Sequence, residues 1–141
     1  MELQSIRWIA EMLRYPKSAG GILVDGGNMA NFVCFLAARK AKTSWDVRKL
    51  GTGKQTGQAR IYKSAETHTW IQKAADLFGL GTDSIRWIAT DDDQKMDPIK
   101  LEKQIADDLK AGDVPMMIIG TAGSTAGNRS TRGALSIMQK V

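Results

Sequence analysis

Apolar positions recur along this chain with two periods, one helical and one strand-like. In residues 2–15, Leu3, Ile6, Ile9, Met12 and Leu13 fall three or four apart, the spacing of a one-faced helix, and Pro16 stops it. Gly20-Gly21 leads into Ile22-Leu23-Val24, a short strand-like run closed by Asp25-Gly26-Gly27. Helical spacing returns from Asn28 to about Lys42, with Phe32, Val33, Phe35 and Leu36 on the apolar side and a basic end that suits the helix dipole. Ala59-Arg60-Ile61-Tyr62 reads as a strand. Ser64 is placed to cap a helix from about Glu66 to Phe78, ended by Gly79 and Gly81. Ser84–Ile88 alternates as a strand, and Asp97-Pro98 opens a helix to about Ala111-Gly112. Val114–Gly120 is continuously apolar and reads as a buried central strand.

A helix followed by three strand–helix repeats and a closing strand predicts an α/β fold with a mainly parallel sheet flanked by helices. The 141 residues are the length of one domain. Hydrophobic residues at 43% and charged residues at 25% are globular proportions. The longest apolar runs, such as Met116–Ile119, are too short to span a bilayer, and no basic segment precedes an apolar core as in a signal peptide. A soluble, cytoplasmic protein with no membrane partner is the expectation. One cysteine, Cys34, excludes an internal disulfide, and with one histidine, His68, it cannot build a structural zinc site.

The net charge of +5 is unevenly spread: residues 39–63 carry +7, leaving −2 for the rest. A basic stretch can attract nucleic acid. Here Gly51–Gly57 in its middle reads as a solvated loop without aromatic residues to stack bases, which argues against that partner. Asp91-Asp92-Asp93 reads as a solvated turn rather than a cation site, and Trp8, Trp45, Trp70 and Trp87 as packing residues.

In open parallel sheets ligands bind beyond the carboxyl ends of the strands. Asp25–Asn28, Ser64–His68 and Gly120–Ser124 are predicted there. The first is a glycine turn entering a helix, whose free N–H groups and dipole suit a phosphate, although such turns are commonly only tight turns. It matches neither the dinucleotide fingerprint nor the nucleotide-triphosphate loop. No Ser-His-Asp or Cys-His arrangement can be built, since nothing identifies a partner for the single histidine.

Ser18–Asn31 with Ala37-Ala38-Arg39, then Ser64–His68 with Lys73-Ala74-Ala75 and Gly79-Leu80-Gly81, then Asp97–Leu101, Gly112, Pro115 and Gly120–Ser124, form three ordered blocks. Together they resemble the pyridoxal-phosphate-dependent group II amino-acid decarboxylases, over about residues 2–125. The resemblance implies a partial large domain of the aspartate aminotransferase-like fold, with an incomplete, mainly parallel sheet. It implies pyridoxal 5′-phosphate as cofactor and an amino acid as the substrate of the intact enzyme. Gly27 and Asn28 would hold the cofactor phosphate, His68 would stack on its ring as the catalytic-site residue, and Thr121 would lie near the ring. The family's Schiff-base lysine and its pyridine-pairing aspartate have no counterpart among these 141 residues, so the chain alone is expected to be inactive. Family sites form at homodimer interfaces, which makes dimerisation or self-association through uncovered apolar faces an expectation.

Residues 126–141 depart from that pattern. Read one base further along, the codons for Asn128 to Ala134 permit Ile-Asp-Pro-Leu-Ala-Ala-Leu. Met138-Gln139 then forces a Cys, with basic residues after it. We read residues 1–125 as the cofactor-binding part and 126–141 as a frameshifted tail. The competing reading is a non-catalytic module that binds a phosphorylated ligand or a partner chain.

Overall fold

A computed structural model of the chain describes residues 2–52, 57–65, 67–124 and 127–130. These fall into two compact units, residues 1–34 and 35–141, each considered by itself.

The first unit opens with helix α1, Glu2–Met12. It ends earlier than its apolar spacing suggests, because Arg14 turns into a left-handed conformation (φ 58°) ahead of Pro16. The predicted apolar face is uncovered: no residue of α1 is buried, and Leu3, Trp8, Ile9 and Met12 are exposed. Ile6 lies where a side chain on Gly21 would sit. Ile22-Leu23-Val24 is irregular rather than a strand. Without an adjacent strand, this run has no ladder to complete, and Leu23 N donates instead to the Glu2 carboxylate, 3.3 Å away. Gly26 (φ 79°) makes the left-handed turn that leads into helix α2, Gly27–Lys42.

In the second unit, strand β1 (Ala59–Ser64) is the centre of a three-stranded sheet. It pairs in parallel with β2 (Ile85–Ile88) on one side and β3 (Val114–Ile118) on the other. The parallel sheet and flanking helices agree with the predicted α/β class. The central place belongs to β1 and not to the more apolar Val114–Gly120. Among the described residues no strand lies beyond β3, so only Met116 of that strand is buried. Tyr62 packs with Ile88, Met96, Leu101 and Ile105, and Ile118 closes this core. Leu101 and Ile105 come from helix α5 (Pro98–Lys110), capped as predicted: the Asp97 carboxylate accepts from Ile99 N and Lys100 N, with Pro98 in the first turn. Helix α4 (Trp70–Leu77) buries Trp70, Ile71, Ala74 and Ala75. Phe35 is buried and stacks on Phe78 at 5.5 Å.

Two sequence readings need correction here. Helix α4 begins four residues later than predicted, and Ser64 is the last residue of β1, not its cap. The basic stretch contains a short helix α3 (Val47–Leu50), capped by Asp46. Several of its cations are engaged internally: Arg39 donates to Phe78 O, Arg60 pairs with Asp113, and Lys63 is buried. Residues 53–56 of the predicted loop lie outside the described residues. A two-stranded antiparallel pair, β4 (Ala122–Ser124) and β5 (Gly127–Ser130), follows β3 and was not predicted. Residues 131–141, the rest of the off-pattern tail, lie outside the described residues. Among the described residues no helix is long and apolar enough to cross a membrane.

Candidate functional site

Two of the three predicted segments meet beyond the carboxyl ends of the strands. The end of β1 carries Ser64, the turn after it carries Thr67 and His68, and the residues after β3 carry Thr121. Thr67 joins them: its hydroxyl lies 3.2 Å from the Thr121 hydroxyl and 3.3 Å from that of Ser64. Thr67 and Ser64 are buried, so these hydroxyls satisfy one another where water cannot.

His68 is exposed at the rim of this cluster. It precedes α4 rather than lying within it, and its Nδ1 accepts from Trp70 N at 3.2 Å. The contact satisfies a first-turn N–H of α4, which Thr69 does not cap with its side chain. With Nδ1 as acceptor, the neutral imidazole carries its proton on Nε2. Its outer edge is thereby a donor.

Sequence reasoning missed Lys63. It is the one buried lysine among the described residues, at 0% exposure, one residue before the end of β1. Its Nζ donates to Thr67 O at 3.2 Å and sits 3.8 Å from the centre of the Trp87 ring, its register partner on β2. Burial pushes the Lys63 amine below the usual lysine range. The sequence signal was a lysine directly after Tyr62, just past the strand read over Ala59–Tyr62. Trp87, read as a packing residue, is half-exposed and acts as a roof over this cation. Trp8 is likewise exposed, whereas Trp70 is buried as read.

Towards the amino ends of the strands, the charges are fully paired. Asp113 accepts from Gln58 N at 2.9 Å and Arg60 Nε at 2.6 Å. Burial raises the Asp113 carboxyl, but these donors outweigh it and hold the group below the usual carboxylate range. Asp108, buried on α5, accepts three bonds from Arg86 (2.9 and 2.8 Å to Oδ1, 3.1 Å to Oδ2) and one from the Tyr62 hydroxyl at 3.0 Å. Burial, and then Asp108, push the Tyr62 phenol well above its ordinary value. A cavity of about 370 Å³ near this end is lined by Trp45, Gln58, Arg60 and Asp113. Its polar side chains are already engaged: Arg60 with Asp113, and Trp45 and Gln58 as donors to the Gly51 and Leu80 carbonyls.

The third predicted segment belongs to the first unit and is described alone. Gly27 opens α2, so the first N–H groups of the helix have no partner within it. Space is open where Cβ atoms on Gly26 or Gly27 would stand, and Asn28 is exposed. These donors fit a phosphate by charge and hydrogen bonding. Because Ile22–Val24 is not a strand, this turn does not follow a strand end as predicted. In the Asp91 turn, the carboxylate accepts from Asp93 N and Lys95 N, so its acceptors serve the backbone.

The chain matches the model of the pyridoxal-dependent decarboxylase conserved domain over residues 1–129. It is 34% identical, over 89% of its own length and 24% of the relative's, to an aromatic-L-amino-acid decarboxylase of Bacillus atrophaeus. It is 33% identical to human cysteine sulfinic acid decarboxylase, over 89% of the chain and 25% of that protein. The structure of Catharanthus roseus tryptophan decarboxylase in complex with L-tryptophan superposes with a TM-score of 0.81 at 27% identity, over 99% of this chain and 31% of that one. The chain thus spans about a quarter of the length of the curated relatives it matches.

Proposed function

The chain belongs to the pyridoxal-dependent decarboxylase family, and from that membership we propose that it forms the phosphate- and ring-holding part of an enzyme that removes the carboxyl group of an amino acid. The observation that carries this reading is the 3.2 Å contact between Thr67 and Thr121, which brings two predicted site segments to one end of the sheet. Pyridoxal phosphate, the family's cofactor, supplies an electron-accepting ring when bound. The residues present fit such a group. Gly27 and Asn28 would hold its phosphate through the open N–H groups of α2. His68 would lay its exposed imidazole on the ring, held flat by the Trp70 N–H, and Thr121 would lie against the ring from the β3 side.

The matched relatives act on different side chains, aromatic in one and sulfinic in another, so the reading stops at an amino acid. By themselves the 141 residues are proposed to be inactive, since no residue in them takes the place of the family's lysine and aspartate. Residues 126–141 are proposed to be read out of frame.

Titrating the chain with pyridoxal phosphate tests the reading. Saturable binding that weakens in His68→Ala and in Asn28→Ala is expected, without release of carbon dioxide from any amino acid. Binding indifferent to both substitutions would overturn the assigned roles, and loss of phosphate dependence would favour a partner-binding module instead. Sequencing the gene through and beyond codon 141 tests the tail: the shifted frame is expected to continue into lysine- and aspartate-bearing blocks. A shifted frame without them would discard the frameshift.

A further inference from the structure

Two residues with proposed roles, His68 and Thr121, are both tied to Thr67, one as its chain neighbour and one by its hydroxyl. Thr67 is in turn held at three points, the first being its N–H, which donates to Ser64 O at 3.1 Å. Its hydroxyl meets Ser64, and its carbonyl accepts from Lys63 Nζ at 3.2 Å. A carbonyl in a turn beyond a strand end has no ladder partner to fix it. Here a buried ammonium supplies that partner from within the strand itself, four residues earlier. Lys63 has no carboxylate against it among the described residues, and its charge is balanced by the Trp87 ring face and by this carbonyl. A buried cation with so few partners is costly unless its position is used. Methionine would fill the same space under Trp87 with no desolvation cost at all.

We propose that Lys63 is a positioning residue: by holding the Thr67 carbonyl under the roof of Trp87, it fixes the turn that presents His68 beside Thr121. This rests on the functional reading above in assigning His68 to the cofactor ring, and goes beyond it in naming what orients the imidazole. If the Thr67 carbonyl is released, the turn keeps the Thr67 N–H on Ser64 O and the Thr67 hydroxyl contacts but loses its anchor on the side toward Trp70. The contact between His68 Nδ1 and Trp70 N is then the first to be lost, because it depends on the placement of a single exposed ring.

Since His68 is the only histidine, its two ring nitrogens give an unambiguous signal in a long-range proton–nitrogen spectrum of the labelled chain. In the unmodified chain, Nδ1 is expected to read as an unprotonated acceptor and Nε2 as protonated. Lys63→Met, which keeps the stem beneath Trp87 and removes the donor, is expected to move both signals toward the average of the two tautomers. It should also weaken pyridoxal phosphate binding about tenfold, the loss of one charged hydrogen bond. Lys63→Gln retains a shorter donor and is expected to fall between the two on both readouts. A folded Lys63→Met chain with an unchanged imidazole pattern and unchanged affinity would overturn the proposal. Should Lys63→Met fail to fold, Lys63→Gln decides: a partial shift supports the role and an unshifted imidazole overturns it. The imidazole signal needs no cofactor, so a chain that binds no pyridoxal phosphate sinks the functional reading while the positioning claim is still judged by the ring nitrogens.

Discussion

The two ends of the three-stranded sheet solve opposite problems with similar side chains. Toward the amino ends, Arg60, Arg86, Asp108 and Asp113 interlock, and every one of these charges meets an opposite charge within 4 Å. At the carboxyl ends, Lys63 has an aromatic face and a carbonyl in place of an acid, the neighbours are hydroxyls, and His68 stands exposed. Buried carboxylates already paired with arginine have their charge neutralised and little access for a ligand, whereas an exposed ring with one nitrogen committed still offers the other. The contrast separates the end that holds the sheet together from the end available for chemistry.

The sharpest way to break this comparison is Asp108→Ala. It leaves the Tyr62 hydroxyl without its acceptor and Arg86 with only the longer 3.7 Å contact to Asp113, and denaturant unfolding should show a loss of about 3 kcal/mol. A loss no larger than that of an exposed site would mean the paired end is not structural. Acid should act at the same end. The Asp113 carboxyl is held below its ordinary value of 3.8, so its contribution is present above that pH and is lost as pH falls through the lower folded value. Urea midpoints between about pH 5 and about pH 2 should therefore fall. Asp113→Asn should flatten part of that slope, with Asp97, also held low by the N–H groups of Lys100 and Ile99, accounting for some of the remainder. An equally steep slope in the variant would remove Asp113 from the account. Smaller again, Tyr62→Phe leaves Arg86 and Gln104 on Asp108 and should cost about 1 kcal/mol in the same unfolding measurement.

At the other end the order reverses. His68→Ala should change stability by no more than about 0.5 kcal/mol, since the ring is exposed, yet weaken pyridoxal phosphate binding measurably by fluorescence titration. If stability falls and affinity does not, His68 belongs with the structural end and the comparison fails.

Much of this was legible from residue order. The helix opened by Asp97-Pro98 was readable because a carboxylate before a proline satisfies the first N–H groups locally. Strand β1 was readable from Ala59, Ile61 and Tyr62, and the glycine turn before α2 from Gly26 and Gly27. His68 and Thr121 were named through family resemblance, not through spacing. Three of the failures have one physical source. Ile22–Val24 and the face of α1 are apolar enough to be buried but stay largely exposed, and β3, paired on one edge alone among the described residues, buries only Met116. A run of apolar residues states a preference and not its fulfilment.

The sequence by itself determined the element types, the α/β class and the segments where ligand-holding residues cluster, because periodicity, caps and turns act over a few neighbouring residues. Only the tertiary structure decided that β1 is central, that Thr67 links residues 54 positions apart to Thr121, and that Lys63 lies buried beneath Trp87. Those outcomes depend on which strands pair and which face each side chain meets, and the distances involved are set by the sheet and not by the chain.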